Sequence, residues 1–229
     1  MPITTGLLVT MLGFLMTAAS AALASGAGPE IGADDALKRL LDGNSSYVSN
    51  KMTIQGSSGP EVRRALASGQ RPFAIILSCS DSRVPPEIIF NQGLGEIFVV
   101  RVAGNIPDPV VLGSIEYAAE HFGSSLIMVL GHSRCGAVTA AVEAKGHGEG
   151  NLGAIVNTIS PAVELAGKDR EWADKSQLIE AAVDMNVKLT VKSLVERSPA
   201  IRSLVDSGKV RIVGAKYDLD DGTVKLLEK

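Results

Sequence analysis

The sequence predicts an α/β fold: a central, mostly parallel β-sheet flanked by helices, with an N-terminal helical arm before it and an antiparallel edge strand after it. Three observations point to this. Short, uninterrupted apolar runs, FAIILS, EIFVVRVAG and SLIMVLG, read as strands buried on both faces. Segments with apolar residues at helical spacing alternate with them, as in a parallel sheet covered on both sides. Finally, DDG follows the last long run, KVRIVGAKYDL, and turns the chain into TVKLLE, a candidate edge strand.

The first segment is of another kind. From Ile3 to Ala24 no residue is charged, and Ala22 and Ala24 in SAALASGAG have the small-x-small spacing of a signal-peptidase site. Residues 1–24 are therefore expected to be a signal peptide that sends the protein to the periplasm or otherwise out of the cytoplasm. The basic start of such peptides is missing, and an uncleaved membrane anchor is the alternative, since about 20 apolar residues span a bilayer.

Residues 25–69 form the predicted helical arm. ADDALKRLLDGN sets Leu37, Leu40 and Leu41 on one helical face, with Asp34 near the start and Gly43 as the stop, and PEVRRALASG opens on Pro60 and ends on Gly69. Residues 70–229 carry the α/β alternation. There PDPVVLGSIEYAAEHFG spaces Val111, Ile115, Ala118 and Phe122 as a helix. GAVTAAVEAKG, NLGAIVNTISPAVELAG and DKSQLIEAAVDMNVKLTVKSLVERS read as further helices, followed by a short one from Ser198 and Pro199 to Gly208.

A length of 229 residues suffices for one sizeable core, and a net charge of -3 without a Lys/Arg run leaves no footprint for nucleic acid. A small molecule or a protein is the expected partner. Nucleotide signatures are absent: GLGEIF lacks a third glycine and precedes a strand, and there is no P-loop, G-x-S-x-G elbow or C-x-x-C.

Chemistry concentrates in ILSCSDSRVPPE, with Cys79, Asp81 and Arg83, and in VLGHSRCGAV, with His132 and Cys135. Both follow buried strands, and in such sheets sites lie beyond the carboxyl ends of the strands. Two thiolates and one imidazole form a catalytic zinc set when a fourth position stays open, and soft sulfur with nitrogen suits zinc better than magnesium or calcium. Asp81 is a candidate fourth ligand that would close the site. A Cys79–Cys135 disulfide is the competing expectation; the chain would then be an exported, disulfide-stabilised binding protein.

These motifs resemble the β-class carbonic anhydrases of bacteria. The family pattern C-x-D-x-R is present as Cys79, Asp81 and Arg83, and H-x-x-C as His132 and Cys135 within GHSRCG. Similarity also runs through GQRPFAIILSCSDSRVPPEIIF, RVAGN, GSIEYAAEHFG, NLGAIVNTISPAVE and RIVGAKYDLDDG, nearly everything after the leader. Val102 stands where the family often has Asn, and Ser78 where Ala or Gly is common.

The resemblance implies reversible hydration of carbon dioxide to bicarbonate and a proton, with residues 70–229 as the zinc-binding catalytic domain. Zinc would be held by Cys79, His132 and Cys135, with Asp81 paired to Arg83 beside the fourth position. Zinc brings the pKa of bound water toward about 7, the three-histidine carbonic anhydrases being the reference case, and the hydroxide so formed would be oriented by the Asp81–Arg83 pair. Because two thiolates cancel the metal's charge, weaker Lewis acidity and better activity in mildly alkaline solution are expected.

Gln70 is implied as the donor to bicarbonate, and Phe98 and Tyr117 as pocket lining. Assembly as a homodimer or homotetramer is implied too, with Gln70 and Tyr117 reaching a neighbouring subunit's zinc. Hydrolysis of carbonyl sulfide or carbon disulfide on the same zinc remains an alternative reaction. His121 and His147 read as ordinary surface or helix-end histidines outside the site.

Overall fold

The apolar runs resolve into five strands: β1 (Ala74–Ser78), β2 (Ile97–Arg101), β3 (Leu126–His132), β4 (Arg211–Tyr217) and β5 (Val224–Leu227). This computed structural model describes residues 31–145, 147–168 and 171–228, so the export reading on residues 1–24 lies outside the described residues. The strand order is β2-β1-β3-β4-β5. The first four strands run parallel, and β5 folds back antiparallel on β4, Val224 facing Tyr217, as the DDG turn predicted.

Eight helices surround the sheet among the described residues: α1 (Ala33–Val48), α2 (Pro60–Leu66), α3 (Pro86–Ile89), α4 (Pro109–Phe122), α5 (Gly136–Glu143), α6 (Gly150–Gly167), α7 (Lys175–Arg197) and α8 (Pro199–Asp206). Their starts follow local chemistry. Asp108 accepts the Val111 N–H at 2.8 Å ahead of Pro109, and Ser198 accepts the Ile201 N–H at 3.1 Å ahead of Pro199. Each cap satisfies a donor that the first helical turn leaves open.

The helix α1 passes through Gly43 and ends five residues later, so Gly43 is no stop. Packing explains the difference. A Cβ on Gly43 would stand 1.8 Å from the carbonyl oxygen of Phe90, so glycine lets α1 lie directly on the chain that follows α3. Leu37 and Leu40 then bury with Ile76, Met128, Leu130 and Ala215 on one face of the sheet.

On the other face, Ile75, Leu77, Ile127 and Val129 pack with Val111 and Ile115 of α4, Val187 and Leu194 of α7, and Ile201 of α8. Burial on both faces is the reason that β1 and β3 lack polar alternation.

After β1 the chain crosses to β2 on one side and then returns to β3 on the other. The connections therefore diverge beyond the carboxyl ends of β1 and β3, which opens a crevice there. Cys79 directly follows β1, and His132 is the last residue of β3.

Candidate metal centre

Cys79, His132 and Cys135 converge in that crevice. Their ligand atoms lie within 4.8 Å of one another, and all three residues are buried. Each arrives by a different route: Cys79 from the end of β1, His132 from the end of β3, and Cys135 from the cap position of α5. The surroundings are apolar, since Cys79 and Cys135 cluster with Ile106, Val138, Val156, Ile159 and Val183.

The imidazole shows what is missing from this group. His132 Nδ1 lies 3.0 Å from the Ser133 carbonyl oxygen, which only accepts, so Nδ1 carries the proton and Nε2 keeps a lone pair. Yet Nε2 is buried and has no hydrogen-bond partner. A backbone carbonyl on one ring nitrogen with the other left bare is how a metal-binding histidine is oriented.

Both cysteines are free, so the structure carries no Cys79–Cys135 disulfide. The Cys79 thiol is lowered to about 4, chiefly by the contact with Cys135 and further by His132 and the backbone N–H groups of Gly104 and Asp81, against the effect of burial. The same contact, together with burial, pushes the Cys135 thiol up. Two sulfurs and a bare imidazole nitrogen thus face one another in an apolar place. A soft divalent cation relieves this arrangement by holding both as thiolates while taking the lone pair of Nε2.

Asp81 is set beside the group and restrained. Its Oδ1 accepts from Arg83 Nε at 2.9 Å and from the Arg83 backbone N–H at 3.0 Å, and its Oδ2 from Arg83 Nη2 at 2.7 Å. The Arg83 hydrogen bonds, outweighing burial, hold the Asp81 carboxyl well below the usual carboxylate range. Its Oδ2 stands 3.9 Å from His132 Nε2, close to the metal position but engaged by the guanidinium.

The family of this chain follows from comparison with known proteins. Residues 74–224 match the family model described as carbonic anhydrase, a span that includes every residue of the metal group. Carbonic anhydrase 2 of Mycobacterium tuberculosis is 42% identical over 83% of this chain and 91% of its own length. The chain belongs to the carbonic anhydrase family.

Solved β-class carbonic anhydrases share the fold. One from Aspergillus fumigatus superposes with a TM-score of 0.69 at 24% identity, covering 84% of this chain and 90% of its own. A β-carbonic anhydrase from Sordaria macrospora, described as tetrameric, gives 0.63 at 25% identity and covers 85% and 98%. β-Class carbonic anhydrases are zinc enzymes, and the sulfur and nitrogen donors of Cys79, Cys135 and His132 fit zinc.

The remaining expected residues, Phe98, Tyr117 and Gln70, have contacts of their own. Phe98 on β2 packs against Phe122, ring centroids 5.8 Å apart, and Tyr117 on α4 meets Phe122 edge-on at 5.4 Å while stacking on His121 at 4.5 Å. Tyr117 is 51% exposed, and Gln70 is exposed in the loop before β1. The structure thus joins Phe98 and Tyr117 through Phe122 at the β2 edge of the sheet.

Residues that the sequence did not single out hold the ligands in place. Arg101, at the end of β2, donates from Nε to the Cys79 carbonyl at 3.0 Å and from Nη2 to the Asp81 carbonyl at 2.6 Å. The Gly104 N–H points at Cys79 Sγ, 3.3 Å away, and the Gly104 carbonyl accepts from Asn186 Nδ2 at 2.9 Å. Gly104 needs its identity, because its φ is 70° and a Cβ would stand 2.6 Å from Ile159 Cδ1. The RVAGN motif carries both Arg101 and Gly104, and was the available signal.

Proposed function

We propose that this chain catalyses the reversible hydration of carbon dioxide to bicarbonate and a proton. The observation that carries the reading is the buried, unpartnered Nε2 of His132 facing two free cysteines, with Asp81 locked by Arg83 next to it. Zinc, when bound there, supplies a Lewis acid that makes hydroxide available near neutral pH.

The protein's own groups direct that chemistry. A free carboxylate beside zinc would tend to become its fourth ligand and exclude water. The two-point hold of Arg83 keeps Asp81 away and ionised. With zinc bound, Asp81 would be the acceptor that orients the oxygen presented to carbon dioxide. The apolar cluster around the cysteines limits competing water. Gln70 is assigned as donor to bicarbonate, with Phe98 and Tyr117 lining the carbon dioxide pocket.

Because Tyr117 is exposed and Gln70 lies in a surface loop, their roles require a second subunit, and the chain is proposed to form a homodimer or homotetramer. The tetrameric description of the Sordaria macrospora proteins supports this reading. Sedimentation giving only monomer at working concentration would overturn it. The uncharged stretch from Ile3 to Ala24 supports export, with residues 25–69 as the helical arm and 70–229 as the catalytic domain. No helix among the described residues is long and apolar enough to cross a membrane.

Stopped-flow hydration of carbon dioxide, run beside consumption of carbonyl sulfide, tests the reaction. Rapid hydration with slow carbonyl sulfide consumption is expected. The reverse preference would assign the same site to carbonyl sulfide hydrolysis.

A further inference from the structure

The turn that carries two of the three ligands has an unfavourable backbone. Arg134, between His132 and Cys135, has a φ of 52°, left-handed and uncommon for a residue with a side chain. Something outside the turn must hold it there, since strained residues persist only where their surroundings determine them.

That support comes from α7 and β4. The Arg134 backbone N–H donates to Glu180 Oε1 at 2.7 Å. Glu180 Oε2 is paired with Lys216 Nζ at 2.7 Å, and Lys216 Nζ also lies 2.9 Å from Asp184 Oδ1. Lys216 is in register with Gly131, one residue before the ligand His132, and its side chain is only 19% exposed. Glu180 thus stands between a fixed cation and the backbone of the metal-binding turn.

The rest of the turn is tied to the β4–β5 hairpin. Ser133 donates its N–H to the Tyr217 carbonyl at 2.9 Å, and its hydroxyl oxygen accepts the Leu219 N–H at 2.9 Å. The Arg134 guanidinium is forked on Asp220 at 2.7 and 2.8 Å. Of these contacts, only Glu180 takes the backbone N–H of the left-handed residue itself.

We propose that Glu180, oriented by Lys216, is a positioning residue for the metal centre: it holds the Arg134 peptide in its left-handed form and so presets the spacing of His132 Nε2 and Cys135 Sγ for zinc. It touches neither zinc nor substrate. The inference rests on the zinc assignment, because only a bound metal makes the spacing of those two atoms matter. Its consequence is tighter binding and slower metal loss, since a preset turn need not reorganise when zinc enters and resists the separation of His132 and Cys135 by which zinc would leave.

Zinc release from the loaded protein into excess chelator, followed colorimetrically, tests this. Glu180→Ala should weaken zinc binding by about 10- to 100-fold, the range seen when an outer partner of a metal ligand is removed, mostly through faster release. Glu180→Gln, whose single oxygen cannot serve both the Arg134 N–H and Lys216, should release zinc at a rate between those of the wild type and Glu180→Ala. In the cobalt-loaded proteins, the visible bands of Glu180→Ala should shift, and by more than those of Glu180→Gln. Where Glu180→Ala does not fold, Lys216→Met reads the same effect by freeing the Glu180 carboxylate. Wild-type release and an unshifted cobalt spectrum in Glu180→Ala, or in Lys216→Met as its substitute, would overturn the role. A wild-type chain that takes up no zinc would overturn the zinc assignment itself, and the inference with it.

Discussion

The Asp81 carboxylate lies against the Arg83 guanidinium with both oxygens engaged, at 2.9 and 2.7 Å, while Oδ2 remains 3.9 Å from the unpartnered Nε2 of His132. In the proposed mechanism this pair would keep Asp81 from becoming a ligand of bound zinc and so leave that place to water.

Arg83→Ala should accordingly yield a folded protein with one zinc per chain and activity lower by about 100-fold, the usual effect of misplacing one group at a reacting centre. Metal analysis alongside stopped-flow hydration checks both halves. Arg83→Lys should recover little, because an ammonium cannot reproduce the two-point hold.

Loss of a ligand should appear in stability as well as in rate. Binding that is selective for the folded state stabilises it by about 2.7 kcal/mol when free zinc is about 100 times the dissociation constant. For a chain of this size that raises the melting temperature by roughly 5 to 11 °C. Calorimetry with and without zinc should show this rise for the wild type, and Cys135→Ser should lose most of it.

How legible this molecule was depended on which atoms do the work. Strands β1 and β3 were plain because burial on both faces demands continuous apolar runs, and the metal group because only certain side chains bind zinc. Gly43 misled because its missing Cβ serves close packing on Phe90 inside α1 rather than the end of a helix. The RVAGN motif marked the place of Gly104 but not the contact of its N–H with Cys79, and the Ser133 carbonyl on His132 was invisible, since backbone groups have no residue signature. Glu180 and Lys216 meet only because α7 packs beside β4, a tertiary fact that no local pattern encodes.

At Gly104 the cost of a side chain follows from geometry. With φ at 70° and Ile159 Cδ1 only 2.6 Å from the added Cβ, Gly104→Ala should destabilise the protein by about 1–3 kcal/mol. Urea unfolding of the zinc-loaded variant measures it, and a shifted cobalt–thiolate band should accompany the loss of the N–H contact to Cys79.

Lys216 gives a pH signature of its own. Burial pulls its ammonium down, but Glu180 and Asp184 outweigh that and hold its pKa above the ordinary lysine value. Its stabilising contribution is therefore complete below the ordinary value and is lost as pH rises through the raised one. The melting-temperature gap between wild type and Lys216→Met should stay constant from neutral pH to about 10 and narrow only above that.

Zinc titrated into the metal-free protein, with carbon dioxide hydration measured at each addition in mildly alkaline buffer, tests the central claim most directly. Activity should rise linearly from background and stop rising at one zinc per chain, the Cys79, His132 and Cys135 centre being filled. Hydration that is absent at full zinc loading, or present at the same level without zinc, would contradict the account.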